Sequence, residues 1–215
     1  MKKYFGIIVT LALIFTLAFS ISCTKEDTNG PVITIIGDNP LIVILNQNWT
    51  DPGASAEDDE DGVVAVTATH DVNKNHQSTT YKITYSATDA AGNTSTANRN
   101  VHVLNDASMY EGNYDATIRL NGNIDYQYVE IIESDDFINN KITFQKFDGH
   151  DPNKIYGNII GTAITIPLQN STINTEVWSF QGNGLINDTI MEFVIDYTAT
   201  VNSAAEDYEL TLVKQ

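Results

Sequence analysis

Three groups of side chains have the types and spacing for chemistry. Glu57, Asp58, Asp59, Glu60 and Asp61 form an unbroken acidic run, and Asp89 opens a later Asp-Ala-Ala-Gly-Asn turn. Crowded carboxylates repel one another unless neutralised, and a hard cation gathers about six to eight oxygens. Glu57, Asp58, Asp59, Asp61 and Asp89 are therefore candidate calcium ligands, and Ca2+ is the one cofactor the sequence suggests. A solvated acidic turn is the competing reading, because the run lacks the alternating Asp-x-Asp-x-Asp-Gly pattern of a dedicated calcium loop. The second group is aromatic: Tyr126, Tyr128, Phe144, Tyr156, Trp178 and Phe180. Rings stack on sugar faces and apolar partners without needing charge, so Trp178, Phe180, Tyr126 and Tyr128 are candidate ligand contacts. Packing inside a small barrel is the competing reading for all of them. The third is Cys23, the only cysteine.

Catalysis has little to rest on. His70, His76, His102 and His150 show no metal-ligand spacing, and there is no Gly-x-Ser-x-Gly elbow or phosphate-cradling glycine loop. With 28 acidic residues, carboxylate pairs arise by chance. The chain is not expected to be an enzyme.

Cys23 closes a segment with a basic start, Lys2-Lys3, and an apolar run from Ile7 to Phe19 that is shorter than the about 20 residues of a spanning helix. Its ending, Ser20-Ile21-Ser22-Cys23, resembles the lipobox of bacterial lipoproteins. The resemblance implies that residues 1–22 are a removed signal peptide and that Cys23 carries diacylglycerol and a further acyl chain such as palmitate. Residues 23–30 then read as a polar tether to the outer membrane of a Gram-negative cell. Lys25-Glu26-Asp27 resembles an export signal that sends lipoproteins to the cell surface, and a plain linker facing the periplasm is the alternative. Beyond the leader the chain holds 9 basic and 28 acidic residues. Such a surface repels polyanions, which excludes nucleic acid as a natural partner.

From Pro31 to Leu104 apolar residues recur with a period of two. Turn chemistry separates the runs at Asp38-Asn39-Pro40, Asp51-Pro52-Gly53, Asp61-Gly62 and Gly92-Asn93. This predicts an antiparallel β-sandwich over 31–104. Asp51-Pro52-Gly53-Ala54, the acidic run ending at Gly62, and Tyr81-Lys-Ile-Thr-Tyr-Ser-Ala-Thr-Asp-Ala-Ala-Gly-Asn93 resemble the bacterial Ig-like domain of surface proteins. That family is similar in build to HYR and cadherin-like sandwiches. The resemblance implies a seven-strand spacer or adhesive module. It also implies a tyrosine-corner role for Tyr81, with Trp49 packed between the sheets.

After Asn105-Asp106-Ala107-Ser108 a second β unit occupies 109–215. Tyr110 to Leu120 alternates cleanly, Asn121-Gly122 is a hairpin signal, and seven further runs follow, with a turn expected at Gly182-Asn183-Gly184. Eight short strands with hairpin connections predict an all-β chain whose C-terminal half is an antiparallel meander, a barrel or flattened sandwich. Its opening Tyr-Glu-Gly-Asn-Tyr resembles lipocalin-like domains of bacterial lipoproteins, and Asp188-Thr189-Ile190 resembles a bacterial O-glycosylation site at Thr189. The expected role is binding or structural: an Ig-like spacer presenting a β domain to neutral glycan or a protein surface. A periplasm-facing carrier holding a small apolar ligand inside the barrel is the alternative, and the two differ in whether the barrel is hollow.

Overall fold

The structure, a computed structural model, describes residues 26–215; Cys23 and the apolar leader lie outside the described residues. Among the described residues no helix is long and apolar enough to cross a membrane. The fold is all-β, as the alternating pattern predicts.

Seven strands build the first unit: β1 (Val32–Ile35), β2 (Leu41–Ile44), β3 (Ala54–Asp58), β4 (Gly62–Val64), β5 (Val66–His70), β6 (Ser78–Thr88) and β7 (Thr94–Leu104). They form a three-stranded sheet, β1-β3-β4, and a four-stranded sheet, β2-β7-β6-β5. Val43, Leu45, Ile83, Tyr85, Val101 and Val103 are the buried core, with Trp49 packed partly buried against it. Inside this sandwich Arg99 is fully buried, donating to the carbonyls of Ile36 and Gly53. Its guanidinium lies 3.5 Å from Asp51 Oδ1, and the Tyr85 hydroxyl donates to the same carboxylate at 2.7 Å. A buried cation so paired fixes the Asp51-Pro52-Gly53 turn against β6 and β7. This corrects the expectation for Tyr81. Its hydroxyl meets the His76 ring at 3.1 Å rather than backbone, and the buried tyrosine that anchors a turn is Tyr85, four residues further along β6.

The second unit is an up-and-down barrel of β8 (Gly112–Leu120), β9 (Asn123–Ser134), β10 (Lys141–Phe144), β11 (Ile155–Ile160), β12 (Ala163–Ile173), β13 (Glu176–Asn187), β14 (Glu192–Val201) and β15 (Ala204–Lys214). Each strand pairs antiparallel with the next, and β15 pairs with β8 from Tyr208↔Leu120 to Lys214↔Tyr114, which closes it. The expected turn at Gly182-Asn183-Gly184 is instead the middle of β13. A Cβ at Gly182 would meet Asp196 O at 2.6 Å and Tyr197 Cβ at 2.7 Å. Glycine there marks a close approach of β13 to β14 and does not mark a chain reversal.

The barrel is filled. Tyr114, Ile118, Phe144, Phe180, Phe193, Ile195 and Leu210 are fully buried within it. The β10–β11 connection adds Phe147 to that interior, edge-on to Phe144, Phe180 and Tyr197 at 5.4, 5.6 and 4.9 Å between ring centres. An eight-strand barrel is just wide enough for its own side chains, and aromatic rings have taken the space.

The two units meet at Asn105, which is 1% exposed. Its side chain donates to the carbonyls of Asp135 and Ile138 at 2.9 and 3.0 Å, and accepts from Ala107 N and Asn140 N at 3.0 and 2.8 Å. A 3-10 turn, Asp106–Tyr110, starts directly on this cap. The β9–β10 loop also reaches the sandwich, where Gln77 N donates to Asp136 O at 2.7 Å and Asn139 N to Asn46 Oδ1 at 2.9 Å. The connection is a joint rather than a free linker. Asn105→Ala leaves several buried backbone groups without partners and is expected to cost about 2–4 kcal/mol in urea unfolding. An unchanged midpoint would show that the joint contributes nothing.

Candidate functional site

The barrel presents two chemically distinct regions, both near the end that carries the β8–β9, β12–β13 and β14–β15 turns. The β9–β10 loop, which touches the sandwich, lies at the opposite end of the strands.

The first region is aromatic and lies at the barrel mouth. Trp178, Tyr126, Tyr128 and Tyr208 are half-buried here, packed on the core beneath them. Trp178 stacks on Phe180 at 6.3 Å, with His150 6.0 Å away. The candidate Phe180 is a correction: it is fully buried, because its face of β13 points into the barrel. The β10–β11 loop fills the mouth. Asp148, 5% exposed, accepts from the hydroxyls of Tyr197 and of Tyr126, the latter at 3.1 Å. The Tyr126 hydroxyl also reaches the Asp148 carbonyl, and His150 Nδ1 lies 3.7 Å from the Asp148 carboxylate. Deeper in, Glu130 is fully buried and accepts from Ile131 N, Gln145 N and Lys146 N at 2.8, 2.9 and 2.9 Å. Three donors on one oxygen hold the start of the loop to β9. Burial nevertheless wins and pushes the Glu130 carboxyl up to about 7, and burial raises Asp148 as well. Neither acid was legible as special among 28. What this region does chemically is hold a plug in place.

The second region is a groove of about 550 Å³ on the outer wall, lined by side chains of β8, β13, β14 and β15 and by the Asn121-Gly122 turn. Strand register composes it. Asn183 sits opposite Asp196, Asp196 opposite Glu209, and Glu209 opposite Arg119, giving one row across four strands. Beside it run Gln181, Thr198 and Asp207. Residues directly opposite in an antiparallel pair have Cβ atoms about 5 Å apart, so each row is a continuous set of polar groups. Arg119 binds Glu209 at 3.1 Å and Thr211 Oγ1 at 3.0 Å, and Thr198 donates to Asp207 at 2.6 Å. Gln181, Asn183 and Asp196 are exposed, and among the described residues their side chains make no hydrogen bond or ion pair. Next to the rows, Leu185 opposite Val194 forms an apolar rim, 66% and 38% exposed. None of the groove residues stood out in the sequence. Alternation announces that they face outward, but only the register brings them into line.

The acidic candidates of the sandwich part company. Asp58 and Asp89 come together with Asp27, which the sequence assigns to the tether. Glu57, Asp59 and Asp61 do not join that cluster: Glu57 is exposed on β3, Asp59 accepts from the Asn29 side chain at 3.3 Å, and Asp61 accepts from Ala90 N at 2.6 Å. Alternation along β3 and the following turn points neighbouring acids in different directions. Burial works against the Asp89 charge, but the Asn93 amide and the backbone N–H groups of Asn93, Gly92 and Ala91 hold its carboxyl below the usual range. Thr189 is exposed in the β13–β14 turn.

Comparison with known proteins agrees with the sandwich. Residues 33–103 match the family model described as bacterial surface protein, Ig-like domain. The N-terminal part is thus Ig-like, and a closed eight-strand barrel follows it. Among solved structures, the lipoprotein BT2262 from Bacteroides thetaiotaomicron is similar at 17% identity and a TM-score of 0.36, covering 86% of this chain and 100% of that one. A Clostridium perfringens ZmpB structure, described as CBM51-2 in complex with GlcNAc and INT domains, is similar at 15% identity and a TM-score of 0.30, covering 85% of this chain and 43% of that one. No curated protein matches the chain.

The raised carboxyl of Glu130 has a defined consequence for stability. A carboxyl with a higher pKa folded than unfolded contributes stability that is complete below pH 4.5 and is lost as pH rises to about 7. The full loss is up to about 3 kcal/mol. Glu130→Gln keeps an oxygen for the three backbone donors and cannot ionise. Urea midpoints of the wild type are expected to fall between pH 5 and pH 8, with a shallower fall in the variant. Identical slopes would contradict the assignment.

Proposed function

We propose that this chain is a lipid-anchored bacterial surface protein. In this reading its Ig-like domain is a spacer and its barrel binds a neutral, hydroxyl-rich glycan on the outer wall. The observation that carries the reading is the pair of polar rows, Asn183–Asp196–Glu209–Arg119 and Gln181–Thr198–Asp207, in one groove. Amides and carboxylates in a row offer both donors and acceptors to sugar hydroxyls, and the Leu185–Val194 rim offers an apolar face to the ring carbons. Three carboxylates against one guanidinium make the groove acidic, which disfavours phosphorylated or uronic acid-rich ligands. Asp196 directly opposite Glu209 is an unfavourable like-charge pair, of the kind retained where function needs it. The proposed role is binding without catalysis.

The carrier alternative needs a hollow barrel, and aromatic rings occupy the interior. The lipid anchor rests on the Ser-Ile-Ser-Cys23 pattern, and the surface address on Lys25-Glu26-Asp27 and on the match of residues 33–103 to a domain of bacterial surface proteins.

Two experiments test this. Calorimetric titration with a panel of neutral oligosaccharides is expected to find a binder whose affinity drops about tenfold or more in Asp196→Ala and Asn183→Ala, with no lowering of the melting temperature. A panel without binders, or variants that bind like the wild type, would refute the groove. Cys23→Ala is expected to move the protein from the membrane to the soluble fraction, since acyl chains on that residue are the proposed anchor. Retention in the membrane would refute the lipoprotein reading.

A further inference from the structure

Asp27, Asp58 and Asp89 reach one point from three separate segments: the chain ahead of β1, the end of β3 and the turn after β6. One carboxylate oxygen of each lies within 4.8 Å of the others. Asp58 and Asp89 are 5% and 7% exposed, so two of the three charges are withdrawn from water. The decisive detail is at Asp58. Its Oδ1 accepts from Glu60 N and Asp61 N at 2.9 and 3.0 Å, whereas Oδ2 is buried with no hydrogen-bond partner among the described residues. No ion pair among the described residues reaches any of the three acids. A buried carboxylate with one oxygen lacking any donor, clustered with two more carboxylates, is unfavourable unless a cation neutralises it.

The surrounding structure holds this arrangement in place. Asn93 donates from its backbone to Asp89 Oδ1 at 2.7 Å and from its amide to Asp89 Oδ2 at 2.9 Å. The same amide reaches the Asp27 carbonyl at 3.2 Å, so one asparagine positions two of the acids. Asp61 ties the β3–β4 turn to the β6–β7 turn through Ala90 N, and Asn29 bonds Asp59.

We propose that Asp27, Asp58 and Asp89 bind a calcium ion. Ligands that are all oxygen, with no histidine or cysteine in the cluster, select a hard cation. Two oxygens on one Ca2+ lie up to about 5 Å apart, so carboxylate oxygens within 4.8 Å of one another can share one ion, whereas Mg2+ keeps most of its water and is usually held by one or two carboxylates. Three carboxylates supply part of the coordination, and their second oxygens and water complete it. A site of this charge and exposure belongs with extracellular modules, whose dissociation constants are about 10⁻⁴ to 10⁻³ M. The ion clips the segment at Asp27 onto the pole of the sandwich. If Cys23 carries the lipid, that clip also fixes how the domain stands on the membrane; the metal site itself does not depend on the anchor.

The test uses the purified full chain, stripped with EDTA and then given 10 mM calcium chloride, with sodium chloride at matched ionic strength as control. Calcium is expected to raise the unfolding temperature, read by scanning calorimetry, by about 5 °C. Asp58→Asn keeps an acceptor for Glu60 N and Asp61 N, and is expected to fold normally in EDTA yet lose the calcium shift. Asp38→Asn, at an exposed position between β1 and β2, is expected to keep it. No shift in the wild type, or an equal shift in Asp58→Asn, overturns the proposal. Should Asp58→Asn fail to fold, Asp89→Asn takes its place, and direct calorimetric titration of the wild type decides: one ion per chain supports the site and absent heat overturns it.

Discussion

The pairing of β15 with β8 is the constraint from which the rest of the barrel follows. Seven residues of each strand meet in register, from Tyr208↔Leu120 to Lys214↔Tyr114, and the sheet has no free edge. Closure with eight strands fixes the bore, and Phe144, Phe147, Phe180, Phe193, Tyr114 and Tyr197 fill it. Once the interior is solid, any ligand must meet the outside. The same closure brings β8 beside β15 and so completes the row that starts at Asn183 and ends at Arg119. The filled bore and the external groove are two results of one topology.

Orientation depends on a second set of interactions. Asn105 uses its side chain as both donor and acceptor in a buried site, joining the end of β7 to the β9–β10 loop. That loop lies at the end of the barrel opposite the β8–β9 turn, which borders the groove. The sandwich therefore holds the barrel by one end and leaves the other presented. Within the sandwich, buried Arg99 and Tyr85 meet half-buried Asp51 and give the spacer a fixed turn through a paired charge. A rigid spacer and a rigid joint suit display, whatever the ligand.

Strand periodicity made the architecture legible. Alternation gave two β units and eight strands in the second, because burial of one sheet face imposes a period of two on the sequence. It failed where local chemistry and tertiary contact disagree. Gly182-Asn183-Gly184 has turn composition, yet glycine is there because β14 passes too close for a Cβ. Phe180 and Trp178 share a face, but only the fold shows that one is core and the other sits at the rim. The groove was invisible because cross-strand register depends on the lengths of the turns between strands, which composition does not reveal. Asp27 was unreadable for a similar reason: nothing in a short polar stretch says that it folds back onto Asp58 and Asp89.

The central claim is that recognition takes place on the outer wall of a solid barrel. Amide chemical-shift mapping of the ¹⁵N-labelled protein, titrated with the tightest-binding neutral oligosaccharide, tests it most directly. The account predicts shifts concentrated at Gln181, Asn183, Asp196, Thr198, Glu209 and Arg119, with the indole signal of Trp178 unmoved. Shifts centred on Trp178, Tyr126 and the Phe147–His150 loop would mean that the mouth opens to admit the ligand, and would contradict it.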